Sequence, residues 1–140
     1  MVHEFDYLLI DISNSFTKVV PSTLESLGDK IISIPTNELN EKFFENFPWN
    51  SDNSSSGVIL SSVVPELNDL IRNVFGEERI LEVSNSVNIG CEVDYPDPRS
   101  IGADRLANVA AAVSLYEVPA VIIDFGTAVT FDVVSSKKSY

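Results

Sequence analysis

The chain has 140 residues and an apolar share of 44%, so it can bury one modest core and is not a disordered chain as a whole. Its formal net charge of −12 at pH 7 would repel nucleic acid and anionic membranes, and no apolar run approaches the ~20 residues that cross a bilayer. The acidic N-terminus is unlike a signal peptide and the single cysteine, Cys91, excludes an internal disulfide, so we expect a cytoplasmic protein with a plain core thiol.

The first part of the chain predicts three strands and a helix. Apolar runs predict strands at residues 5–11, 15–20 and 29–35. A tight Ser-Asn turn separates the first two of these strands. Residues 36–47 have the composition of a helix, with Thr36 or Asn37 as its cap, and residues 48–57 predict a polar loop.

In the remainder of the chain, strands and helices alternate. The pattern predicts a strand at 58–64, a helix at 65–75, a strand at 79–83, a proline-rich loop at 94–100, a helix at 101–117, and strands at 118–125 and 128–134. Pro65 stands at the first position of the first of these helices, and Gly76 follows its last residue. This order predicts an α/β fold that begins with an antiparallel meander.

A strand–turn–strand pattern occurs twice in the chain. The segment LLIDISNSFTKVV (8–20) aligns with VIIDFGTAVTFDVV (121–134), so that Asp11 matches Asp124. The distance between the copies is too long for a solenoid repeat. It predicts instead two related domains that each open with the same hairpin.

The two turns have the composition of phosphate-binding turns. Small side chains at residues 13–15 and 126–127 would let an anion approach backbone N–H groups closely. Asp11 would repel phosphate, so we expect it to hold a hydrated metal ion that bridges to phosphate oxygens, with Lys18 as a nearby positive charge. Two such hairpins facing each other would hold a triphosphate between two domains. A single Asp after a strand is usually a turn or cap residue, but the second copy favours phosphate binding.

The segment YPDPRSIGADRLANVAAA (95–112) predicts a second functional region. Gly102 permits close approach at the start of a slim, alanine-rich helix, and the helix dipole favours a carboxylate at Asp104. If ATP lies between the hairpins, Asp104 is a candidate general base for a substrate hydroxyl, and Arg105 can pair with an anionic group of the substrate. An equally simple reading is a capped helix with a surface arginine.

These motifs resemble the N-terminal part of the type III pantothenate kinase family. The matching blocks, in the order of the family, are Asp11-x-x-Asn14-Ser15 with Lys18, Ser61-Ser62-Val63-Val64-Pro65, Tyr95-Pro96 with Gly102-Ala103-Asp104-Arg105, and Asp124-Phe125-Gly126-Thr127-Ala128. The resemblance covers nearly the whole chain. It implies ribonuclease-H-like domains of the actin-like ATPase superfamily, with residues 1–117 as the first domain and residues 118–140 as the opening hairpin of a second.

The resemblance also implies a reaction, the ATP-dependent phosphorylation of pantothenate to 4′-phosphopantothenate, which begins coenzyme A biosynthesis. It implies Mg²⁺, a monovalent cation (K⁺ or NH₄⁺) and a homodimer. With the hairpin pattern, it implies ATP contacts at Asp11, Ser13, Asn14, Ser15, Thr17, Lys18, Gly126 and Thr127. It implies pantothenate contacts at Tyr95, Gly102, Ala103, Asp104 and Arg105. Asp104 would be the proton acceptor, while Asp124 and Asp11 would serve the metal ions.

The chain departs from the family in two ways. Ser13 stands where the family has glycine, as the second hairpin has at Gly126, and a left-handed backbone there would strain a serine. The chain also stops at Tyr140, soon after the second hairpin, so we expect a shortened product that is weak or inactive alone. Two alternatives remain open, a non-catalytic accessory or regulatory protein of the family and another small-molecule kinase of the superfamily.

Overall fold

The computed structural model describes residues 5–45, 57–126 and 128–140. These residues form two structural units that divide between Glu82 and Val83. The domain boundary predicted at residue 117 falls inside the second unit, and the polar loop predicted at 48–57 lies almost wholly outside the described residues. In the described ranges, no helix has both the length and the apolar character needed to cross a membrane.

The first unit is built on a five-stranded mixed sheet. Its strands are β1 (Tyr7–Ile12), β2 (Phe16–Ser22), β3 (Ile32–Pro35), β4 (Gly57–Ser62) and β5 (Ile80–Glu82). They lie in the order β3-β2-β1-β4-β5. The first three strands pair antiparallel, whereas β4 runs parallel to β1 and β5 runs parallel to β4. The mixed α/β character and the opening antiparallel meander predicted from the sequence are therefore confirmed.

Apolar side chains on one face of this sheet form the core of the first unit. In β1 every second residue is buried, which is the period of a strand with one covered face. The fully buried side chains include Leu8, Ile10, Ile12, Val19, Val58, Leu60 and Ile71. Asp11 belongs to the alternate set of β1, so the pleat directs it to the face away from this core.

The described part of the first unit also contains the helices α1 (Glu41–Glu45) and α2 (Asn68–Phe75), the second preceded by a 3-10 turn at Pro65–Leu67. Ile71 of α2 is fully buried, and Phe44 of α1 packs edge-on against Phe75 with ring centroids 5.1 Å apart. Burial of a side chain of this size contributes about 1.5–3 kcal/mol. The helix α2 is followed by Gly76, whose φ of 84° is readily adopted only by glycine.

The helix predicted at 36–47 is interrupted in the structure. A 3-10 turn at Thr36–Glu38 is followed by Leu39 in an extended conformation with ψ at 126°, and α1 begins only after it. Thr36 bonds through its N–H and its hydroxyl to the β1–β2 turn, and the Asn40 amide donates to a backbone carbonyl two residues earlier. Such local bonds compete with a continuous helix. The last two predicted positions lie outside the described residues.

The second unit packs a helix against a hairpin. Its regular elements are α3 (Ala103–Leu115), β6 (Ala120–Phe125) and β7 (Val129–Val134), and the two strands pair antiparallel. The buried cluster comprises Ile89, Ile101, Leu106, Val109, Val134 and Tyr140. The helix starts two residues later than predicted, because Gly102 is still extended with ψ at 146°.

The β6–β7 hairpin has two unlike faces. Its exposed face is apolar and carries Val121, Ile123, Phe125, Val129, Phe131 and Val133. Its other face is buried or half-buried and carries Ile122, Asp124, Thr130, Asp132 and Val134. Hydrogen bonds from α3 to Asp124 and Asp132 show that this second face is the one turned toward the helix.

Candidate active site

The β1–β2 turn at residues 13–16 is the first candidate phosphate site. The Ser13 N–H donates to Phe16 O at 3.1 Å and closes the turn. Asn14 and Ser15 lie exposed at its tip. Small side chains at an exposed tip allow an anion to approach the backbone closely.

Thr36 holds this turn from the end of β3. Its N–H donates to Ser15 O at 3.0 Å, and its hydroxyl donates to Ser13 O at 2.7 Å. The same hydroxyl oxygen lies 3.1 Å from the Thr17 hydroxyl, and both threonines are buried. Because the Thr36 proton is committed to Ser13 O, Thr17 is the donor of this bond. The Thr17 hydroxyl, predicted to contact ATP, is thus bonded to Thr36, the residue that holds the turn.

The backbone at Ser13 explains how serine can replace glycine there. Among the described residues, φ is positive only at Gly76, Gly90 and Lys138. Ser13 and its counterpart Gly126 therefore both avoid the left-handed region. A Cβ added at Gly126 would meet Ala128 O at 3.7 Å, which is ordinary van der Waals contact. Neither turn requires glycine for its own backbone, and Ser13 carries no strain of this kind.

Asp11 lies between two polar neighbours on the face of the sheet away from the core. Lys18 is directly opposite it on β2, and Ser61 is directly beside it on β4. Residues opposed in this way share one face of a sheet. The Ser61 hydroxyl is buried and has no hydrogen-bond partner within the described part of the chain. Residues that carry a carboxylate, an ammonium group and a hydroxyl thus lie side by side on one face of the sheet near the end of β1.

The second hairpin repeats the sequence pattern of the first but not its register. Asp11 faces Lys18 in the first hairpin, whereas Asp124 faces Thr130, the counterpart of Thr17, in the second. The turn of the second hairpin is consequently one residue shorter. Only the first hairpin therefore sets a cation directly across from its aspartate.

The second turn is closed by Gly126, whose N–H donates to Ala128 O at 3.0 Å. Gly126 is exposed. Thr127, predicted to contact ATP, lies outside the described residues. Gly126 is therefore the one predicted ATP contact of this turn that the structure describes.

The helix α3 holds Asp124 and presents Asp104. The Asn108 side-chain amide donates to Asp124 Oδ2 at 3.0 Å. Asn108 lies four residues after Asp104, and residues four apart share one face of a helix. Asp104 stands in the first turn of α3, as predicted, and its Oδ1 accepts from the Arg105 N–H at 2.8 Å. The candidate base and the candidate cation ligand are therefore linked through one helix face.

Arg105 and Tyr95 meet in a separate group of polar contacts. Arg105 Nε donates to Asp132 Oδ1 at 2.7 Å, and Arg105 Nη2 lies 2.5 Å from the same oxygen. The Tyr140 hydroxyl also donates to this oxygen, at 2.8 Å, and the Tyr140 ring stacks on Tyr95 with centroids 6.3 Å apart. The hydrogen bond to Asp132 raises the pKa of Arg105 above its ordinary value, so the guanidinium stays charged.

The structure places the predicted site residues in both units. The first hairpin brings Asp11, Ser13, Asn14, Ser15, Thr17 and Lys18 together in the first unit. The second unit contains Tyr95, Gly102, Ala103, Asp104, Arg105, Asp124 and Gly126. Ala103 is buried as the first residue of α3, and Gly102 is the extended residue before it.

Four residues that shape these sites were not predicted as functional, namely Thr36, Asn108, Asp132 and Tyr140. Asn108 carried a signal, because it lies one helical turn after Asp104. Asp132 carried a stronger one, because it alternates with Thr130 and Val134 on one face of a predicted strand, and a charge on a covered face needs a counter-charge. The contacts of Thr36 and Tyr140 leave no comparable trace in the local sequence.

The two hairpin aspartates offer donors that suit hard cations. Carboxylate and hydroxyl oxygens are the ligands that Mg²⁺ and alkali ions prefer, and Mg²⁺ in kinases commonly takes one or two carboxylates together with phosphate oxygens. Asp11 has the Ser61 hydroxyl beside it, and Asp124 offers the oxygen that Asn108 does not hold. In the described ranges, no group of three or more His, Cys, Asp and Glu side chains converges.

Cys91 is half-buried against the core of the second unit. Burial raises the pKa of the Cys91 thiol, so less thiolate forms at neutral pH. This agrees with the predicted plain core thiol rather than with a nucleophile.

Comparison with known proteins identifies the family. The family model described as type III pantothenate kinase matches residues 7–140. The chain is 39% identical over 140 residues to a type III pantothenate kinase of Akkermansia muciniphila, covering 96% of this chain and 54% of the relative. It is 39% identical over 143 residues to one of Methylacidiphilum infernorum, with coverages of 95% and 48%, and 32% identical over 145 residues to one of a Sulfurihydrogenibium species, with coverages of 95% and 57%.

The chain spans about half the length of these curated relatives. The match nevertheless extends over nearly all of the chain and includes both hairpins and the start of α3. The protein therefore belongs to the type III pantothenate kinase family.

Proposed function

We propose that the protein transfers the γ-phosphoryl group of ATP to pantothenate and forms 4′-phosphopantothenate, the first step of coenzyme A biosynthesis. The observation that carries the proposal is the start of α3, where Asp104 lies one turn before Asn108, the residue that holds Asp124. Relatives named type III pantothenate kinase support the same reaction. The proposal concerns the protein as expressed from its natural reading frame.

Asp104 is the proton acceptor of this reaction. The Arg105 N–H fixes its Oδ1, which orients the carboxylate at the start of the helix. The proton of the pantothenate hydroxyl passes to Asp104 as the hydroxyl oxygen forms its bond to the γ-phosphorus. The bond between the γ-phosphorus and the bridging oxygen breaks, and ADP leaves.

The phosphates of ATP lie against the β1–β2 turn, with Asn14 and Ser15 at its tip and Lys18 on the adjoining strand. Local donors of this kind are needed because the formal net charge of −12 works against nucleotide binding. Ser13 belongs to the same turn, whereas Thr17 acts from behind it through Thr36. The second hairpin contributes Gly126 and Thr127.

Asp11 is assigned to Mg²⁺, and Asp124 is assigned to the monovalent cation, K⁺ or NH₄⁺. When bound, the cations neutralise negative charge on the phosphate oxygens. Lys18 lies across from Asp11 and offsets the charge that remains on this side of the sheet. Asn108 limits the freedom of the Asp124 carboxylate by holding one of its oxygens.

Family membership supports three further proposals. The fold is that of ribonuclease-H-like domains in the actin-like ATPase superfamily, with residues 1–117 as the first domain and 118–140 opening the second. The order β3-β2-β1-β4-β5, antiparallel and then parallel, supports the first of these domains. The protein acts as a homodimer, and it works in the cytoplasm, where its lone, half-buried Cys91 would stay reduced.

The first alternative is an accessory protein without catalytic activity. It is suggested by Ser13, which stands in the phosphate turn where the family has glycine. The backbone at Ser13 gives that argument no support, because φ is not positive there. Another small-molecule kinase of the superfamily is the second alternative. A panel of hydroxyl substrates, offered with ATP and measured by ADP release, separates the three functions.

The decisive variant is Asp104→Asn in the protein expressed from its natural reading frame. We expect turnover of pantothenate to fall by about 10²–10⁴-fold, because the general base is lost. The Kd for ATP, measured by calorimetry, should stay within about twofold, since nothing in the phosphate turn changes. Asp69→Asn, the same change at an exposed carboxylate of α2, is the matched control and should leave turnover unaltered. Undiminished turnover in Asp104→Asn would remove the role given to this residue.

A further inference from the structure

Asp132 is a buried carboxylate that the proposed reaction does not use. It lies on the face of β7 turned toward α3, and its side chain has no exposed surface. A carboxylate is removed from water only at high cost unless charged or hydrogen-bonding groups compensate it. The groups that contact Asp132 must therefore compensate its burial, and these contacts indicate what the residue does.

Among the described residues, the groups that bond to the Asp132 carboxylate converge on one of its oxygens. Oδ1 accepts from Arg105 Nε at 2.7 Å, lies 2.5 Å from Arg105 Nη2, and accepts from the Tyr140 hydroxyl at 2.8 Å. Oδ2 is buried and has no partner among the described residues. The carboxylate is thus organised around the guanidinium and the tyrosine rather than around the backbone.

This pairing fixes the direction of the Arg105 guanidinium. Asp132 takes the edge formed by Nε and Nη2, so Nη1 projects from the other side of the planar group. The guanidinium is anchored to Asp132 along this edge, while 28% of the Arg105 side chain as a whole remains exposed. Because the bond to Asp132 already restricts the rotamers of Arg105, binding of an anion costs little further side-chain entropy.

The same carboxylate also positions an aromatic ring. Tyr140 donates to Asp132 and stacks on Tyr95 at an interplanar angle of 25°. Burial and the bond to Asp132 raise the pKa of Tyr140, so its hydroxyl remains a donor well above neutral pH. Tyr95 and Arg105 are two of the residues assigned to pantothenate, and Asp132 connects them.

We propose that Asp132 is a positioning residue that aims Arg105 and Tyr95 at the carboxylate end of the acceptor substrate. Pantothenate carries a carboxylate at the end opposite its phosphorylated hydroxyl, and a pre-oriented guanidinium would select acceptors that carry this charge. The inference rests on the proposed function, because it assumes pantothenate as the acceptor. It adds a specificity determinant that touches no substrate itself.

The test is the Asp132→Asn variant of the protein from its natural reading frame, which keeps the shape of the side chain and removes its charge. We expect the KM for pantothenate to rise about tenfold or more, with kcat and the KM for ATP within about threefold. The preference for pantothenate over its neutral amide should fall by a similar factor. In an Arg105→Lys background, Asp132→Asn should have little further effect, because the two act as one unit.

Glu82→Gln is the matched control, since Arg72 contacts Glu82 Oε1 through Nε at 2.9 Å and Nη2 at 2.5 Å in the same geometry. This control breaks a more exposed ion pair of similar geometry in the other unit and should leave the KM for pantothenate unchanged. If Asp132→Asn lowers the melting temperature but alters neither this KM nor the preference over the amide, the pair is purely structural and the proposal is overturned. An effect on kcat alone overturns it as well.

If Asp132→Asn does not fold, Arg105→Lys and Tyr140→Phe carry the test. Both should raise the KM for pantothenate and lower the preference over the amide, and unchanged values in both contradict the proposal. If the unaltered protein phosphorylates no pantothenate, the proposed function fails first. Calorimetric binding of pantothenate then decides the inference, which is lost if Asp132→Asn binds it as well as the unaltered protein does.

Discussion

Ser13 occupies a turn position that the second hairpin fills with Gly126. Its φ is not positive, and its carbonyl is held by the Thr36 hydroxyl. Serine therefore fits the folded turn, while in the unfolded chain it has less conformational freedom than glycine. The residue that looked like a defect in the phosphate turn is compatible with it.

Replacing Ser13 by glycine should consequently bring no gain. We expect Ser13→Gly to lower the free energy of unfolding by about 0.4–1 kcal/mol and to leave the Kd for ATP within about twofold. Urea unfolding and calorimetry measure the two quantities. Gly126→Ala is the counterpart, and the 3.7 Å contact to Ala128 O predicts that the fold tolerates it. A sharp rise in ATP affinity on Ser13→Gly would show that serine impairs the turn after all.

Among the elements, the β1–β2 hairpin depends on a neighbour that is distant in sequence. Thr36 follows β3 directly, and it bonds to two carbonyls of the turn and to the Thr17 hydroxyl. The antiparallel pairing of β2 with β3 brings Thr36 to this place, because Phe16 lies across from Pro35. The meander thus stiffens the turn that the proposal gives to phosphate.

Removal of the Thr36 hydroxyl tests this coupling. Thr36→Val should lower the free energy of unfolding by about 1–3 kcal/mol, because the buried Thr17 hydroxyl would lose its partner and the half-buried Ser13 O would lose its donor. The Kd for ATP should rise as well, since the turn loses its support. Thr36→Ser retains the hydroxyl and should restore both values, apart from the small loss of one methyl group. Equal stability of Thr36→Val and Thr36→Ser would show that the hydroxyl network is irrelevant.

In the second unit, the helix α3 holds the functional side chains of the β6–β7 hairpin, as Thr36 holds the turn of the first hairpin. It reaches β6 through Asn108 and β7 through Arg105, so both inward carboxylates of the hairpin are tied to a single helix. Asp104, in the first turn of that helix, takes its position from the same packing. A change in the seating of α3 would therefore affect the base, the cation ligand and Arg105 together.

For the molecule as a whole, charge is the dominant global property. A formal net charge of −12 creates a negative field that opposes the approach of ATP. Lys18 and the turn backbone act only at short range. Affinity for ATP therefore has to arise locally, against the field of the rest of the chain.

Screening of this field should speed the arrival of nucleotide. Raising NaCl from about 0.05 M to about 0.3 M, at constant Mg²⁺ and K⁺, shortens the Debye length about twofold. We expect the association rate constant of ATP to increase, as measured by stopped-flow mixing with a fluorescent ATP analogue. A rate constant that decreases with salt would mean that a positive local potential, and not the net charge, governs the encounter.

The sequence by itself was enough for the succession of strands and helices along the chain, the opening meander, the position of Asp104 in the first turn of α3 and the family, because these features follow from local periodicity and contiguous motifs. The tertiary structure alone decided the different registers of the two hairpins, which differ by one residue although their sequences align. It also decided the Thr36 contact to Ser13, 23 residues away, and the Arg105 contact to Asp132, 27 residues away. Such pairs depend on how sheets and helices pack, and no periodicity within one element encodes which distant partner a buried polar group will meet.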